Sequence, residues 1–185
     1  MAYIRPILKG AAAFGGSFVA VFAGLTVAAD VCPYYIDTVS GGSMKPTLNP
    51  RDNGTRDRVL AKRLTMEQAD KLQRGDIVDA TNPRNPHGDK VVKRIIALPG
   101  DSVLTPRYHD EVVKIPRHHC WIEGDHPETS ADSNYYGPIP IELVHGKVLF
   151  VVWPPTRLGR LAERDLSGPD AHKMSTVLHH TPLPR

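Results

Sequence analysis

Cysteine is nearly missing from this chain. Its 185 residues hold two, Cys32 and Cys120, too few for a disulfide framework, and neither belongs to a Cys-x-x-Cys metal pair. A single disulfide between them stays open. The run His118-His119-Cys120 sets neighbouring side chains on opposite faces of a strand, where they converge poorly on one ion. We expect no metal and no cofactor. Basic runs interleaved with aromatics are missing too: 23 basic and 20 acidic residues are mixed along the chain, for a net charge of +3, which argues against nucleic acid as a partner. There is no internal repeat, and the length gives room for one core.

Long uncharged stretches are absent with a single exception. Residues 10–29, GAAAFGGSFVAVFAGLTVAA, match the roughly 20 residues that a helix needs to cross a bilayer. Their Gly and Ala content would weaken a soluble helix but is common in membrane spans. Arg5 and Lys9 precede the run and Asp30 follows it. That flank predicts that the short N-terminus stays on the side of synthesis or insertion, with everything after Asp30 across the membrane. The competing reading is a cleaved secretory signal, whose apolar region usually spans only about 7 to 15 residues. This run is longer, and Val27-Ala28-Ala29 matches a cleavage site only loosely, so the anchor is favoured. The organisation expected is an N-terminal segment at 1–9, a transmembrane helix at 10–29, a β domain at 30–157 and a polar, mobile tail at 158–185.

Beyond the anchor, short strands and Gly/Pro turns outnumber any long periodic helix, so the fold class is mainly β. Cys32 to Val39 reads as a strand leading into a loop. Leu64 to Leu72 predicts one helical turn or two, and Gly75-Asp76-Ile77-Val78 opens a strand. Lys90 to Leu98, KVVKRIIAL, carries the strongest strand signal and ends at Pro99-Gly100. Val112 to Ile122 adds further β structure. Gly124 to Pro140 is a polar turn-forming loop of the kind that holds side chains by local hydrogen bonds. Leu143 to Trp153 is a last strand, and a weak helical pattern surrounds Leu158 to Leu166.

Two residues stand out chemically. Ser43, in Ser40-Gly41-Gly42-Ser43-Met44-Lys45-Pro46-Thr47, sits where the backbone turns freely and little bulk precedes the hydroxyl. Such a segment is more often a plain loop. Lys93 lies inside the apolar strand, where a lysine either snorkels to solvent, the commoner fate, or is desolvated and becomes a usable base. A serine hydroxyl needs a base to take its proton, and a Ser-Lys pair is one known substitute for Ser-His-Asp. None of the nine histidines lies in an apolar strand beside an obvious acid.

Taken in order, Ser43-Met44-x-Pro46-Thr47, Arg74-Gly75-Asp76-Ile77-Val78, Lys93 through Asp101 (KRIIALPGD), and Gly124-Asp125 leading to Ser130-x-Asp132-Ser133 resemble the boxes of the type I signal peptidases. Gly124-Asp125-His126, Ser133-Asn134, Gly137-Pro138, Gly146-Lys147 and Trp153-Pro154-Pro155 are similar to the mitochondrial branch of that family, the inner membrane protease, and within it to the second catalytic subunit.

The resemblance implies a signal-peptidase-like β fold behind one transmembrane helix. It implies Ser43 as the acylating nucleophile, Lys93 as the general base, Ser130 as the group that hydrogen-bonds and orients the lysine amine, and Asp132 as support for that loop. The backbone N–H of Ser43 would help to form an oxyanion hole. Gly41 stands where Gram-negative bacterial enzymes carry a second serine, and Asn134 replaces an arginine that pairs with the acid at the position of Asp132, which leaves the role of Asp132 in doubt. Precursor peptides would add as a strand beside Val39 to Gly41 and Lys90 to Lys93, with Val39, Gly41, Val91 and Val92 near small pockets, a reading compatible with these valines being core. The implied setting is the mitochondrial inner membrane, single-pass, facing the intermembrane space, with precursor proteins bearing cleavable sorting peptides as substrates and a related catalytic subunit as heterodimer partner. A bacterial-type signal peptidase in a plasma membrane and a non-catalytic assembly subunit remain the alternatives. A self-cleaving repressor-like Ser-Lys protein is disfavoured because that class needs a DNA-binding module.

Overall fold

The computed structural model describes residues 32–51, 53–69, 71–85, 89–105, 107–108, 112–161 and 175–180. The expected transmembrane helix at 10–29 lies outside the described residues. Among the described residues no helix is long and apolar enough to cross a membrane. The chain divides into two compact units, Met1–Pro33 and Tyr34–Arg185, and the second carries the architecture below.

Its elements are β1 (Tyr34–Thr38), β2 (Arg58–Arg63), α1 (Met66–Ala69), β3 (Ile77–Thr81), β4 (Lys90–Ala97), β5 (Asp101–Leu104), β6 (Val112–Lys114), β7 (His119–Glu123), α2 (Ser133–Tyr136), β8 (Ile139–Pro140), β9 (Val144–Trp153), β10 (Gly159–Arg160) and β11 (Thr176–His180). The larger sheet runs β1-β2-β9-β3-β4-β7-β8, with β10 paired to β9, and a smaller one runs β11-β5-β6. The pairings are antiparallel. Mainly β is therefore the observed class, and α1 is the short helix expected between Leu64 and Leu72.

Alternation along β3 shows how the large sheet is buried on both faces. Val78 and Ala80 join one core cluster with Ile95 and Ile122, while Ile77, one residue before Val78, joins another with Val59, Ala61, Val148 and Val151, as a period of two demands. A third cluster, around Val103, Ile115 and Trp121, packs with Ile96 and Ala97. β4 therefore meets core on both sides from Lys93 onward, which is why KVVKRIIA reads as a continuous apolar run apart from its charges.

Two short segments of the stretch expected as a polar tail are strands, and most of the rest of it lies outside the described residues. Gly159–Arg160 pairs with β9 and Thr176–His180 with β5. Pro155–Arg157 forms a 3-10 turn and Gly159–Arg160 is β10; most of the helical pattern expected around Leu158 to Leu166 lies outside the described residues. Cys32 is exposed and Cys120 buried, both as free thiols; a disulfide between them is not formed.

Candidate active site

Ser43 sits on a tight turn between β1 and β2. The amide of Lys45 donates to the carbonyl of Gly42 at 3.0 Å and that of Leu48 to Met44 at 2.8 Å. Gly41 has φ of +80°, a conformation that favours glycine. Two apolar residues peg the turn into the core: Met44 and Leu48 are 2% and 0% exposed, and burying each side chain contributes about 1.5–3 kcal/mol.

Asn49 closes the loop from below. Its Nδ2 donates to the carbonyls of Val39 and Gly41 at 2.9 and 3.1 Å, and its Oδ1 accepts from the amide of Asp57 at 2.7 Å. Asp57 Oδ2 accepts the Asn49 amide at 2.8 Å in return. The reciprocal pair staples the serine turn to the start of β2. Sequence reasoning gave Asn49 no role, because its partners lie eight to ten residues away along the chain, where no local pattern shows them.

Lys93 reaches this turn from β4. Its Nζ lies 2.7 Å from Ser43 Oγ and 3.3 Å from the carbonyl of Val92, and the residue is only 4% exposed. Burial pushes the Lys93 ammonium below the ordinary lysine range, against the opposing pull of Asp132 and Asp125. The amine is thereby shifted toward its neutral form, which accepts a proton. A neutral amine 2.7 Å from a hydroxyl is placed to deprotonate it.

The segment after β7 walls the site. The amide of His126 donates to the carbonyl of Ser43 at 3.0 Å. A Cβ at Gly124 would run into that same carbonyl and into the Ser130 side chain, so only glycine lets β7 pass this close. Ser130 is 8% exposed, and its Oγ has no hydrogen-bond partner. The bond to Lys93 implied by the resemblance is therefore not made in this structure, although the hydroxyl stands beside Gly124 in the same wall. Asp132 caps α2: its Oδ1 accepts from the Asn134 amide at 3.1 Å and from Asn134 Nδ2 at 3.2 Å, and its Oδ2 accepts from the Gly124 amide at 2.9 Å. Asn134 thus holds this carboxylate by neutral hydrogen bonds, and Asp132 ties the α2 loop to the end of β7.

A second arrangement escaped the sequence reading. Arg94 forms a bidentate pair with Asp125, Nε to Oδ1 at 2.9 Å and Nη2 to Oδ2 at 2.7 Å, and Nη1 donates to the carbonyl of Gly75 at 2.9 Å. The hydroxyl of Thr47 donates to Asp125 Oδ2. Arg94 and Asp125 are 4% and 5% exposed. One buried pair therefore clamps the serine turn, β4 and the β7 end to each other, one residue from Lys93. The three residues stand in motifs already noted, but pairing across the sheet leaves no local signal.

A cleft of about 360 Å³ opens over Ser43 and Lys93, lined also by Thr38, Val39, Ser40, Met44, Val91 and Val92, with Asp37, Asp79 and Lys90 around them. Val39, Val91 and Val92 line this cleft. Gly41 does not line this cleft: its turn carries it to the other side, beside Gly42, Lys45 and Asn49. Among the described residues no group of three or more His, Cys, Asp or Glu is placed to hold a metal ion.

Comparison with known proteins bears on this geometry. The sequence model of the family described as signal peptidase, peptidase S26, matches residues 14–115 and 104–153. Mitochondrial inner membrane protease subunit 2 of Danio rerio is 42% identical over 146 residues, 79% of this chain and 78% of that protein. The Mus musculus protein of the same name is 41% identical over 150 residues, 78% of this chain and 85% of its own length. Mitochondrial inner membrane protease subunit 1 of Homo sapiens is 37% identical over 139 residues, 74% of this chain and 77% of that one. With a serine and a buried lysine in contact under an open cleft, and with the family's sequence model matched from residue 14 to residue 153, the chain belongs to the signal peptidase family, peptidase S26.

Proposed function

We propose that this chain is a membrane-anchored serine endopeptidase, working through a Ser43–Lys93 dyad, that removes signal or sorting peptides from precursor proteins delivered across the mitochondrial inner membrane to the intermembrane space. The observation that carries the chemistry is the 2.7 Å contact between Lys93 Nζ and Ser43 Oγ. The similarity to inner membrane protease subunits supports the location, and the uncharged run at 10–29 supports the anchor.

The extended precursor lies in the cleft beside Val39 and β4. Neutral Lys93 takes the proton of Ser43 as Oγ attacks the scissile carbonyl, and returns it to the departing amine. The Ser43 ester is then cleaved by a water that Lys93 deprotonates, and Oγ leaves with the proton. The negative oxygen formed at each stage is met by the Ser43 backbone N–H; one such donor is worth roughly 3 to 4 kcal/mol. Ser130 turns its free hydroxyl to the lysine amine during turnover, and Asp132 holds the loop that carries it. The related subunit 1 among the relatives supports a heterodimer of two such chains.

Ser43→Ala and Lys93→Met, each expressed in cells lacking the native protein, test this reading by N-terminal sequencing of membrane and intermembrane-space proteins. Both variants are expected to leave the sorting peptides in place while remaining folded and membrane-bound. Processing retained in either variant refutes the dyad. Loss of a partner subunit from the membrane together with processing would favour a non-catalytic assembly role instead.

A further inference from the structure

The cleft that holds the dyad also contains a buried acid that the chemistry does not use. Asp79, on β3, is 2% exposed and stands opposite Val92 of β4 in the pairing of the two strands. Its Oδ1 is fixed by the hydroxyl of Tyr35, which donates at 2.6 Å. Its Oδ2 is buried and has no hydrogen-bond partner. Lys90 Nζ faces it from 3.9 Å on a largely exposed side chain, beyond hydrogen-bond range. A buried carboxylate oxygen left without a donor costs free energy, so a group that arrives with a donor gains what the fold leaves unmet.

The surroundings hold this carboxylate in place. A Cβ at Gly146 would collide with the Tyr35 hydroxyl and with Asp79 Oδ1, so β9 has left the space that the Tyr35–Asp79 pair occupies. Burial and Asp79 together push the Tyr35 hydroxyl well above the ordinary tyrosine range, so it stays a donor and keeps the carboxylate oriented. Once Lys93 is neutral the charge lining the cleft is net negative, since Asp37 and Asp79 then face Lys90 alone.

We infer that Asp79 is a specificity-determining residue: its free Oδ2 forms a subsite for a peptide side chain ending in an N–H donor, such as lysine, arginine, asparagine or glutamine, near the scissile bond. The subsite rests on the reading of the cleft as the substrate groove. It selects for donors, is indifferent to small aliphatic side chains, and excludes carboxylates, because a second acid beside Asp79 would be repelled and unpaired. A peptide paired along β4 presents alternate side chains toward Val92 and Asp79, so the preference falls on one residue of the segment.

The full chain in detergent is assayed on peptides identical except at one of the second to fifth residues before the cut, where alanine, lysine, asparagine or glutamate is placed. At one position, kcat/KM for lysine or asparagine is expected to exceed that for alanine by roughly ten- to hundredfold, the yield of one hydrogen bond to a charged group, with glutamate lowest. Asp79→Asn removes most of the lysine-to-alanine ratio. Tyr35→Phe, which keeps the carboxylate but frees its Oδ1, lowers the ratio less than Asp79→Asn does. Equal rates at every position, or the same ratio in wild type and Asp79→Asn, overturn the subsite while the peptidase reading stands. Binding of the same peptides to Ser43→Ala, followed by fluorescence anisotropy, separates the two failures. Donor-selective binding with no cleavage by the wild type keeps the subsite and sinks the peptidase reading, and binding of none of the peptides overturns both.

Discussion

Lys93 Nζ lies 2.7 Å from Ser43 Oγ across 50 residues of sequence. The lysine is carried by β4, which is buried from Lys93 to Ala97, and the serine by a turn whose Met44 and Leu48 are sunk in the core. The contact is thus set by packing on both sides. The same burial that fixes the amine takes away its water, and this joins the position of the base to its proton affinity.

The rate of cleavage therefore depends on pH in a defined direction. In the proposed mechanism Ser43 attacks only when the Lys93 amine is neutral, and burial holds the Lys93 pKa below the ordinary 10.5. kcat/KM is expected to rise with pH through an inflection below that value and then to level off. A pH profile of peptide cleavage by the full chain checks this. An inflection at or above the ordinary lysine value, or a rate that rises as pH falls, contradicts it.

Stability moves the other way when the amine is removed. Because the folded pKa of Lys93 is lowered, the unfolded chain binds more protons between that pKa and about 10.5, and the fold gains stability as pH rises through this window. Below the window the deficit is fully present. Lys93→Met lifts it at similar volume, so the variant is expected to be inactive yet more stable than wild type at neutral pH. The gain in urea midpoint should shrink as the pH approaches 10.5. A loss of stability at pH 7 would mean that burial does not disfavour the charged amine.

What was legible before the structure and what was not divide along a physical line. The serine turn and β4 were readable because glycine, proline and β-branched residues act on their own backbone. The Arg94–Asp125 clamp was not, since an arginine in an apolar strand gives no sign of which acid will meet it across a sheet. Gly124 was part of a motif, but its requirement comes from the Ser43 carbonyl that packs against it. Gly41 was expected at the cleft but lines another pocket, with Gly42 and Asn49. β11 pairs with β5 far up the chain, so its short Thr-Val-Leu run could not be told from a tail.

Gly124→Ala tests the closeness of β7 to the serine. The added methyl meets the Ser43 carbonyl and the Ser130 side chain, and the backbone has to part. The expected outcome is a loss of cleavage of about a hundredfold or more, the scale on which a 1 Å misplacement acts, with far-UV circular dichroism unchanged. A variant with wild-type kcat would show that β7 does not position the dyad.

The clamp at Arg94 predicts a structural phenotype. Replacing one partner leaves the other as an uncompensated buried charge, which costs about 3–5 kcal/mol. Arg94→Met and Asp125→Asn are each expected to lower the thermal midpoint of the full chain in detergent. The double variant should recover part of that loss, because no lone charge is left. Additive losses in the double variant would show that the two side chains do not act as a pair.

Ser130 separates a structural role from a catalytic one. Its hydroxyl is buried without a partner, so the resting fold gains no hydrogen bond from it, and Ser130→Ala should leave stability unchanged or raise it by up to about 1 kcal/mol. If the hydroxyl turns to the amine of Lys93 during turnover, the same variant loses kcat and the inflection of its pH profile moves, while Ser130→Thr restores part of both. Unfolding midpoints and pH profiles measured on the same preparations decide the matter. A stable variant with full kcat would remove Ser130 from the mechanism, whereas a stable variant with reduced kcat would place the free hydroxyl in it.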